Sequence, residues 1–225
     1  MGATTTPRLL DLCCGAGGAA RGYQRAGFYV VGVDVQPQPR YAGDEFHQAD
    51  ALTFPLHGFD AIHASPPCQA FSALARATGK AGAHPNLIPA LRARLHAHAT
   101  AAGVPWVIEN VPGAPLRNPL ALCGASFGLE VVRHRWFEPN VAMLAPPCGH
   151  VRGGTKTGQY VAFRHSTVQP PGRRVPLRMA ESEFRRALGV DWMTTKEARE
   201  AIPPAYTEYI GGLLLAAIAT AGEVA

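Results

Sequence analysis

The first 130 residues alternate short apolar runs with longer segments that suit helices, and this alternation constrains the fold most strongly. Apolar runs too short for a helix and bounded by Gly or Pro indicate buried strands. We predict strands over residues 8–13, 29–33, 59–64 and 105–109, and helices that include 18–26 and 87–102. Because strand–helix–strand repeats form parallel sheets covered by helices, we predict a doubly wound α/β domain with a mostly parallel sheet.

The pattern fades from about residue 139 into Pro, Gly and basic residues, and a helical pattern returns over 181–188. An apolar run over 209–219 is predicted to dock on the main domain. We therefore predict one main domain from residues 1–138 and 179–225, interrupted by a small, loop-rich lobe over 139–178.

Composition narrows the class of protein. The chain has 225 residues, 47% of them apolar, and no run approaches the roughly 18 apolar residues of a membrane span. The N-terminus lacks the pattern of a signal peptide, so we expect a cytoplasmic protein without a membrane partner. We also expect a monomer. The net charge of +5 favours a polyanionic partner. Between residues 151 and 178 there is no Asp or Glu, and the basic residues are Arg152, Lys156, Arg164, Arg173, Arg174 and Arg178.

A Gly-rich turn between the first strand and the first helix indicates a nucleotide-like ligand. Glycines 15, 17 and 18 would let the backbone pass close to a ligand at the helix N-terminus. Asp34 follows the second strand, about twenty residues after the glycines, where ribose hydroxyls need an acceptor. Asp50 follows a third short element and is placed to meet an adenine amino group. A tight turn with capping or solvated acids is the alternative, and the glycines do not identify the cofactor.

A cysteine follows the third predicted strand in the segment Ser65-Pro66-Pro67-Cys68-Gln69. Paired prolines cannot continue a strand, so they present Cys68 on a rigid loop at the carboxyl edge of the sheet, where ligands of such folds bind. This position suits a nucleophile, whereas an inert, packed thiol is the alternative for a cysteine considered alone.

Six segments in the same order resemble the DNA (cytosine-5) methyltransferase family, from residue 9 to about residue 215. DLCCGAGG resembles its first motif, SPPCQAFS its nucleophile loop, VIENV its glutamate strand and RHRWFE its paired-arginine motif. EFRRALGVDWM and EAIPPAYTEYIG resemble its last two motifs. The resemblance implies a Rossmann-like class I methyltransferase fold, S-adenosylmethionine as the cofactor and double-stranded DNA as the partner.

The resemblance also implies roles for individual residues. Cys68 would add to C6 of a flipped cytosine, Glu109 would bind its N3 edge, and Arg133 and Arg135 would hold O2 and support the thiolate. The cofactor would be bound by Asp11, Cys13, Gly15, Gly17, Gly18, Asp34, Val35, Asp50, Ala51 and Pro66. The nucleic acid would be contacted by Gln69, Ser72, Arg152, Lys156, Arg164, Arg173 and Arg174.

The sequence departs from the family at three places. Cys13 stands where the family usually has Phe, and Arg199-Glu200 stands where the last motif usually has Gly-Asn. The region that would read the target, 139–178, is only about forty residues long, which predicts short or relaxed sequence recognition.

No metal is expected, because the spacing of Cys123, Cys148, His150 and His165 fits no recognised ligand pattern.

Three alternatives stay open. The same chemistry could act on RNA, single-stranded DNA or a cytosine nucleotide, which need no duplex-reading lobe. The chain could be an inactive nucleic-acid-binding protein that retains the fold, although this leaves the set of Cys68, Glu109 and two arginines unexplained. A Rossmann-type dehydrogenase would account for the glycines but not for the Pro-Pro-Cys-Gln loop.

Overall fold

A computed structural model describes residues 6–71, 85–148 and 180–224, and its centre is a seven-stranded sheet of order β3-β2-β1-β4-β5-β7-β6. The first five strands run parallel, whereas β7 is antiparallel to both β5 and β6. The strands are β1 Arg8–Leu12, β2 Tyr29–Asp34, β3 Glu45–Gln48, β4 Ala61–Ala64, β5 Trp106–Asn110, β6 Leu120–Cys123 and β7 His134–Pro139.

Helices cover the sheet. They are α1 Gly18–Ala26, α2 Ile88–Ala102, α3 Glu181–Leu188, α4 Thr195–Glu200 and α5 Pro204–Val224. On one face, α1 and α5 pack over a core that contains Leu9, Tyr23, Phe137 and Tyr206. On the other face, α2 packs over Leu10, Ile62 and Ile108. Burial on both faces explains why β1, β2 and β4 are almost continuously apolar.

The predicted α/β architecture is confirmed, and each of the four predicted strands lies within two residues of an observed one at both ends. The helix Gly18–Ala26 and the helix Glu181–Leu188 have the predicted bounds. The apolar run 209–219 is the middle of α5, which packs along α1. The sequence pattern predicted no strand at β3, β6 or β7 and no helix at α4. These elements are four to six residues long, so local periodicity is a weak signal for them.

Residues 140–148 form neither helix nor strand, and the rest of the predicted lobe, 149–178, lies outside the described residues. Among the residues that the structure describes, no helix is both long and apolar enough to cross a membrane.

Candidate active site

The turn after β1 is held in a shape that leaves its backbone open to a ligand. Cys13 has a φ of 59° and Gly15 a φ of 50°, both in the left-handed region that residues other than Gly and Asn rarely adopt. The Cys14 amide donates to the Val33 carbonyl, 3.1 Å away, which ties the turn to β2. A Cβ atom on Gly15 would meet nothing within 4 Å, so this glycine borders open space.

The other two glycines of the turn serve packing. A Cβ on Gly17 would lie 2.7 Å from the Ala42 amide nitrogen, and one on Gly18 would strike the Ile202 carbonyl oxygen. Gly18 still borders the cleft described below, whereas Gly17 does not. The sequence predicted close approach to a ligand for all three glycines. The geometry fits that role best at Gly15.

Asp34 and Asp50 stand at the carboxyl ends of neighbouring strands, as parallel strands require. Asp34 accepts hydrogen bonds from the amides of Gly15 at 3.0 Å and Gln36 at 2.9 Å, so its half-buried carboxylate is fixed beside the turn. Asp50 is exposed and accepts from the Leu52 amide at 2.8 Å. Both carboxylates face the same cleft as Gly15.

Asp11 lies beneath the turn and does not line the cleft. Its side chain is fully buried, and neither carboxylate oxygen has a hydrogen-bond partner among the described residues. Burial, reinforced by the negative charges of Asp34 and Glu109, raises the pKa of Asp11 well above its ordinary value. The geometry therefore does not favour direct contact between Asp11 and a cofactor.

The loop that carries Cys68 is anchored by backbone and side-chain hydrogen bonds. The Ser65 amide donates to the Leu12 carbonyl at 2.9 Å, and the Asn110 side-chain amide donates to the Pro66 carbonyl at 2.9 Å. Asn110 therefore couples the end of β5 to the loop, which explains an asparagine directly after Glu109. Cys68 itself is half-buried and precedes a short 3₁₀ turn over Gln69–Phe71.

Glu109 and Arg135 form a buried pair next to this loop. Arg135 Nε lies 2.9 Å from Glu109 Oε1, in an ion pair that lacks the angle of a hydrogen bond, and both side chains are less than a tenth exposed. Burial raises the pKa of Glu109, while Arg135, Arg133 and a hydrogen bond from Ser65 oppose that rise. Glu109 is thus a carboxyl group that holds a proton more tightly than a free glutamate does.

The charge of Arg135 also acts on Cys68. Burial raises the pKa of the Cys68 thiol, and Arg135 is the strongest opposing influence. Two other thiols border the cleft, but burial raises the pKa of Cys13 to about 12 and that of Cys14 well above its ordinary value, without an opposing cation. Cys68 is therefore the thiol of this cleft that is best placed to react.

Arg133 and Arg135 both lower the pKa of Glu109, but they differ in their position relative to the cleft. Arg135 borders the cleft, whereas Arg133 lies just before β7 and donates from Nη2 to the Arg199 carbonyl at 2.6 Å. Burial and the neighbouring Arg135 lower the pKa of Arg133 to about 9. The expectation that both arginines face one ligand assumed an extended strand through residue 133, and β7 begins one residue later.

A polar chain that the sequence analysis missed runs from α1 to Glu109. Tyr23 Oη lies 2.8 Å from His63 Nδ1, and His63 Nε2 lies 2.6 Å from Ser65 Oγ, which hydrogen-bonds to Glu109. Burial lowers the pKa of His63 to about 3, so the ring is neutral and one nitrogen must accept while the other donates. We assign the direction in which the Tyr23 hydroxyl donates to His63, His63 to Ser65, and Ser65 to Glu109. A histidine within the apolar strand AIHA was the available signal.

The turn after β1, the two carboxylates beside it and the Cys68 loop with Glu109 and Arg135 border one cleft of about 610 Å³. One end is bordered by the turn after β1 and by Asp34, Val35, Asp50 and Ala51; the other end is bordered by Pro66, Cys68, Gln69, Glu109 and Arg135. Residues from α4 and its N-terminal approach close the rim, and the sequence analysis had assigned them no role: Met193, Thr194, Lys196 and Glu197. Glu197 forms a bidentate ion pair with Arg40, which joins α4 to the loop after β2.

Of the residues expected to contact nucleic acid, the structure places Gln69 at the cleft. Ser72, Arg152, Lys156, Arg164, Arg173 and Arg174 lie outside the described residues, as do His150 and His165.

Solved structures with a similar fold are methyltransferases. The Entamoeba histolytica methyltransferase EhMeth aligns over 94% of this chain and 98% of its own, with 11% identity and a TM-score of 0.56. The S. pombe Dnmt2 methyltransferase aligns over the same shares, with 14% identity and a TM-score of 0.56. An E. coli prophage protein, described as a DNA modification methyltransferase, aligns over 59% of this chain at 20% identity with a TM-score of 0.41. This chain spans 45% of the length of that protein.

No protein-family model matches the sequence, and no curated protein matches it. At the identities above, the two full-length alignments show the fold alone. The sheet order with its antiparallel β7 and the two full-length neighbours define a Rossmann-like class I methyltransferase fold.

Proposed function

We propose that this chain transfers a methyl group from S-adenosylmethionine to C5 of cytosine in DNA, with Cys68 as the nucleophile. One observation carries the proposal: Cys68, Glu109 and Arg135 converge at one end of a cleft whose other end has the Gly15 turn and Asp34. A nucleophile, an acid with a raised pKa and a cation beside a nucleotide-type site are the groups that methylation at C5 of a pyrimidine requires.

The cleft suits an adenosyl cofactor. Its volume of about 610 Å³ lies within the range of about 300–1,000 Å³ for small-molecule sites. Asp34 is held by two amides with its carboxylate at the cleft, where it can accept from ribose hydroxyls. Val35 is an apolar side chain that is 63% exposed at the cleft, which suits an adenine face. S-adenosylmethionine bound there supplies an electrophilic methyl group.

The residues at the other end account for the chemistry on the base. Cys68 adds as a thiolate to C6, which forms a sulfur–carbon bond and places an electron pair on C5. Glu109 donates its proton at N3 during the addition, and its raised pKa keeps that proton available. Arg135 stabilises the thiolate before addition and holds the carboxylate that Glu109 becomes. After C5 has been methylated and has lost its proton to a base, the electron pair of the broken C5–H bond expels Cys68 as a thiolate. N3 then returns its proton to Glu109, which restores the neutral ring and the starting state of the carboxyl group.

Duplex DNA is the proposed substrate, so the target base must leave its stack to reach Cys68. The acid-free basic segment between residues 151 and 178 suits contacts to phosphates, which give affinity without sequence information. Because few residues are available to contact base edges, the proposed recognition sequence is a few base pairs or less.

The test uses the wild-type chain and Cys68→Ala with labelled S-adenosylmethionine. Duplex DNA, single-stranded DNA, RNA and free cytosine nucleotides are offered separately, and modified nucleosides are identified by mass. We expect 5-methylcytosine in duplex DNA with the wild-type chain and a loss of at least about 10⁴-fold with Cys68→Ala. A duplex with 5-fluorocytosine should form a covalent complex with the wild-type chain only, because fluorine replaces the proton that must leave.

Calorimetry with S-adenosylhomocysteine is the control for both proteins. Equal affinity shows that Cys68→Ala is folded with its cofactor end intact. Labelling of RNA or nucleotides instead of duplex DNA would overturn the substrate assignment and keep the mechanism. Equal methylation by both proteins would overturn the mechanism.

A further inference from the structure

The β6–β7 hairpin carries a second cluster of reactive side chains, and none of them borders the cleft. Cys123 ends β6, His134 begins β7 opposite it in the strand register, and Cys148 lies in the segment that follows β7. The two sulfur atoms and one ring nitrogen lie within 4.8 Å of one another. Residues that are 11 and 14 positions apart thus meet at one point, which is why their spacing matches no known ligand pattern.

The geometry points to a zinc site formed by Cys123, His134 and Cys148. In a tetrahedral zinc site, bonds of about 2.3 Å to sulfur and about 2.0 Å to nitrogen separate a sulfur from a nitrogen by about 3.6 Å. Cys148 Sγ lies 3.6 Å from His134 Nε2, so this pair already has the separation that a shared zinc ion requires. Two sulfurs and one imidazole nitrogen also favour zinc over calcium or magnesium, which prefer oxygen ligands.

The charges balance when the ion binds. The two thiols lose their protons to solvent, and two thiolates with one neutral imidazole then compensate the two positive charges of zinc. The described residues provide three ligands, and a water molecule would complete the tetrahedral coordination.

Hydrogen bonds hold the segment that ends at Cys148, and burial restricts Cys123. The segment before Cys148 is tied down where Ser126 Oγ donates to the Pro147 carbonyl at 2.8 Å and Tyr209 Oη donates to the Leu144 carbonyl at 2.7 Å. Cys123 is buried, with 1% of its surface exposed. His134 stands between Arg133 and Arg135, and since successive strand residues point to opposite faces, it can bind zinc while Arg135 borders the cleft. The ion would therefore fasten the chain at Cys148 to the strand that supplies Arg135.

The first test measures zinc in the full-length chain by elemental analysis, after reconstitution with zinc under reducing conditions and removal of the excess. We expect about one equivalent of bound zinc. X-ray absorption should show two sulfur neighbours at about 2.3 Å and two nitrogen or oxygen neighbours at about 2.0 Å. Cobalt in place of zinc should produce thiolate-to-metal charge transfer and the visible bands of a tetrahedral ion.

Variants locate the site. Cys123→Ser and Cys148→Ser should each weaken zinc binding by at least about 100-fold, because losing a ligand exceeds the 10–100-fold loss on removing an outer-shell partner. Cys68→Ser and His96→Ala are the matched controls, a cleft cysteine and an exposed histidine of α2, and both should keep the full equivalent.

Three results would each overturn the proposal: no bound metal in the reconstituted wild-type chain, neighbours that are only oxygen or nitrogen, or a Cys123–Cys148 disulfide by mass in protein purified with reductant. The wild-type measurements do not depend on whether the variants fold. They are also independent of methyl transfer, so the zinc site and the proposed function can fail separately.

Discussion

Replacing Arg135 by Met should destabilise the protein in a way that depends on pH. Arg135 is the cation 2.9 Å from the buried Glu109 carboxylate, and both side chains are less than a tenth exposed, so solvent screening is weak. Removing one partner of a buried ion pair costs about 3–5 kcal/mol when the remaining charge cannot be neutralised. Glu109 can take up a proton, however, so the cost should appear only where Glu109 would otherwise be ionised.

The pH range follows from the direction of the shift. The pKa of Glu109 in the folded protein is raised above its ordinary value of 4.5. The favourable contribution of Glu109 to the free energy of unfolding is therefore complete below pH 4.5 and is lost as the pH rises through the folded pKa. Arg135→Met raises the folded pKa further. The free energy of unfolding of the variant should therefore approach that of the wild type as the pH falls towards 4.5. Above the folded pKa of the wild type it should fall behind by about 1.4 kcal/mol per pH unit, up to about 3–5 kcal/mol.

Urea unfolding at pH 5, 6, 7 and 8, followed by tryptophan fluorescence, measures this difference. The double variant Arg135→Met with Glu109→Gln should lose the added pH dependence, because no titrating group remains at position 109. Arg8→Met is the surface control: its pair with Glu45 is 3.8 Å long and more than a third exposed on both sides, so its effect should be under about 1 kcal/mol and flat with pH. An Arg135→Met curve parallel to the wild type at all four pH values would refute the reasoning.

Three further changes probe the fold and the site. Gly22→Ala should lower the free energy of unfolding by about 1–3 kcal/mol, because a methyl group there would overlap the Pro204 carbonyl oxygen where α5 packs on α1; denaturant titration checks this, and an unchanged midpoint contradicts it. Arg92→Met should cost about 3–5 kcal/mol in the same assay, because both guanidinium contacts to the buried Glu138 carboxylate are 2.6 Å long; a loss under 1 kcal/mol would be inconsistent with a buried pair. Ser65→Ala removes a hydrogen bond that lowers the pKa of Glu109. If the proposed methyl transfer needs protonated Glu109, the alkaline limb of its pH profile should move to higher pH. A shift to lower pH would disprove the assigned donor direction.

Most of the α/β architecture could be predicted from the sequence, because it depends on local signals. The apolar runs at β1, β2, β4 and β5 and the glycines before α1 are each contained within about ten residues, and each restricts the backbone by burial or by sterics. The sequence also placed Cys68 and Asp34 at the carboxyl edge of the sheet, because parallel strands end at a common edge.

The arrangement within the site required the tertiary structure. Arg135 reaches Glu109 only because β7 inserts antiparallel between β5 and β6, a pairing between strands separated in the chain that leaves little local periodicity. The pairing of β7 with β6 also places His134 opposite Cys123.

The buried polar chain and the cluster proposed to bind zinc depend on the same kind of long-range contact. Tyr23 and His63 are 40 residues apart, and no property of either residue alone specifies the 2.8 Å contact between them. By itself, the sequence determined four of the seven strands, the Gly-rich turn after the first strand and the thiol that is presented on a rigid loop. The tertiary structure decided which charges and donors surround that thiol, because side chains distant in the chain meet only after the strands have paired and their polar groups have been buried together.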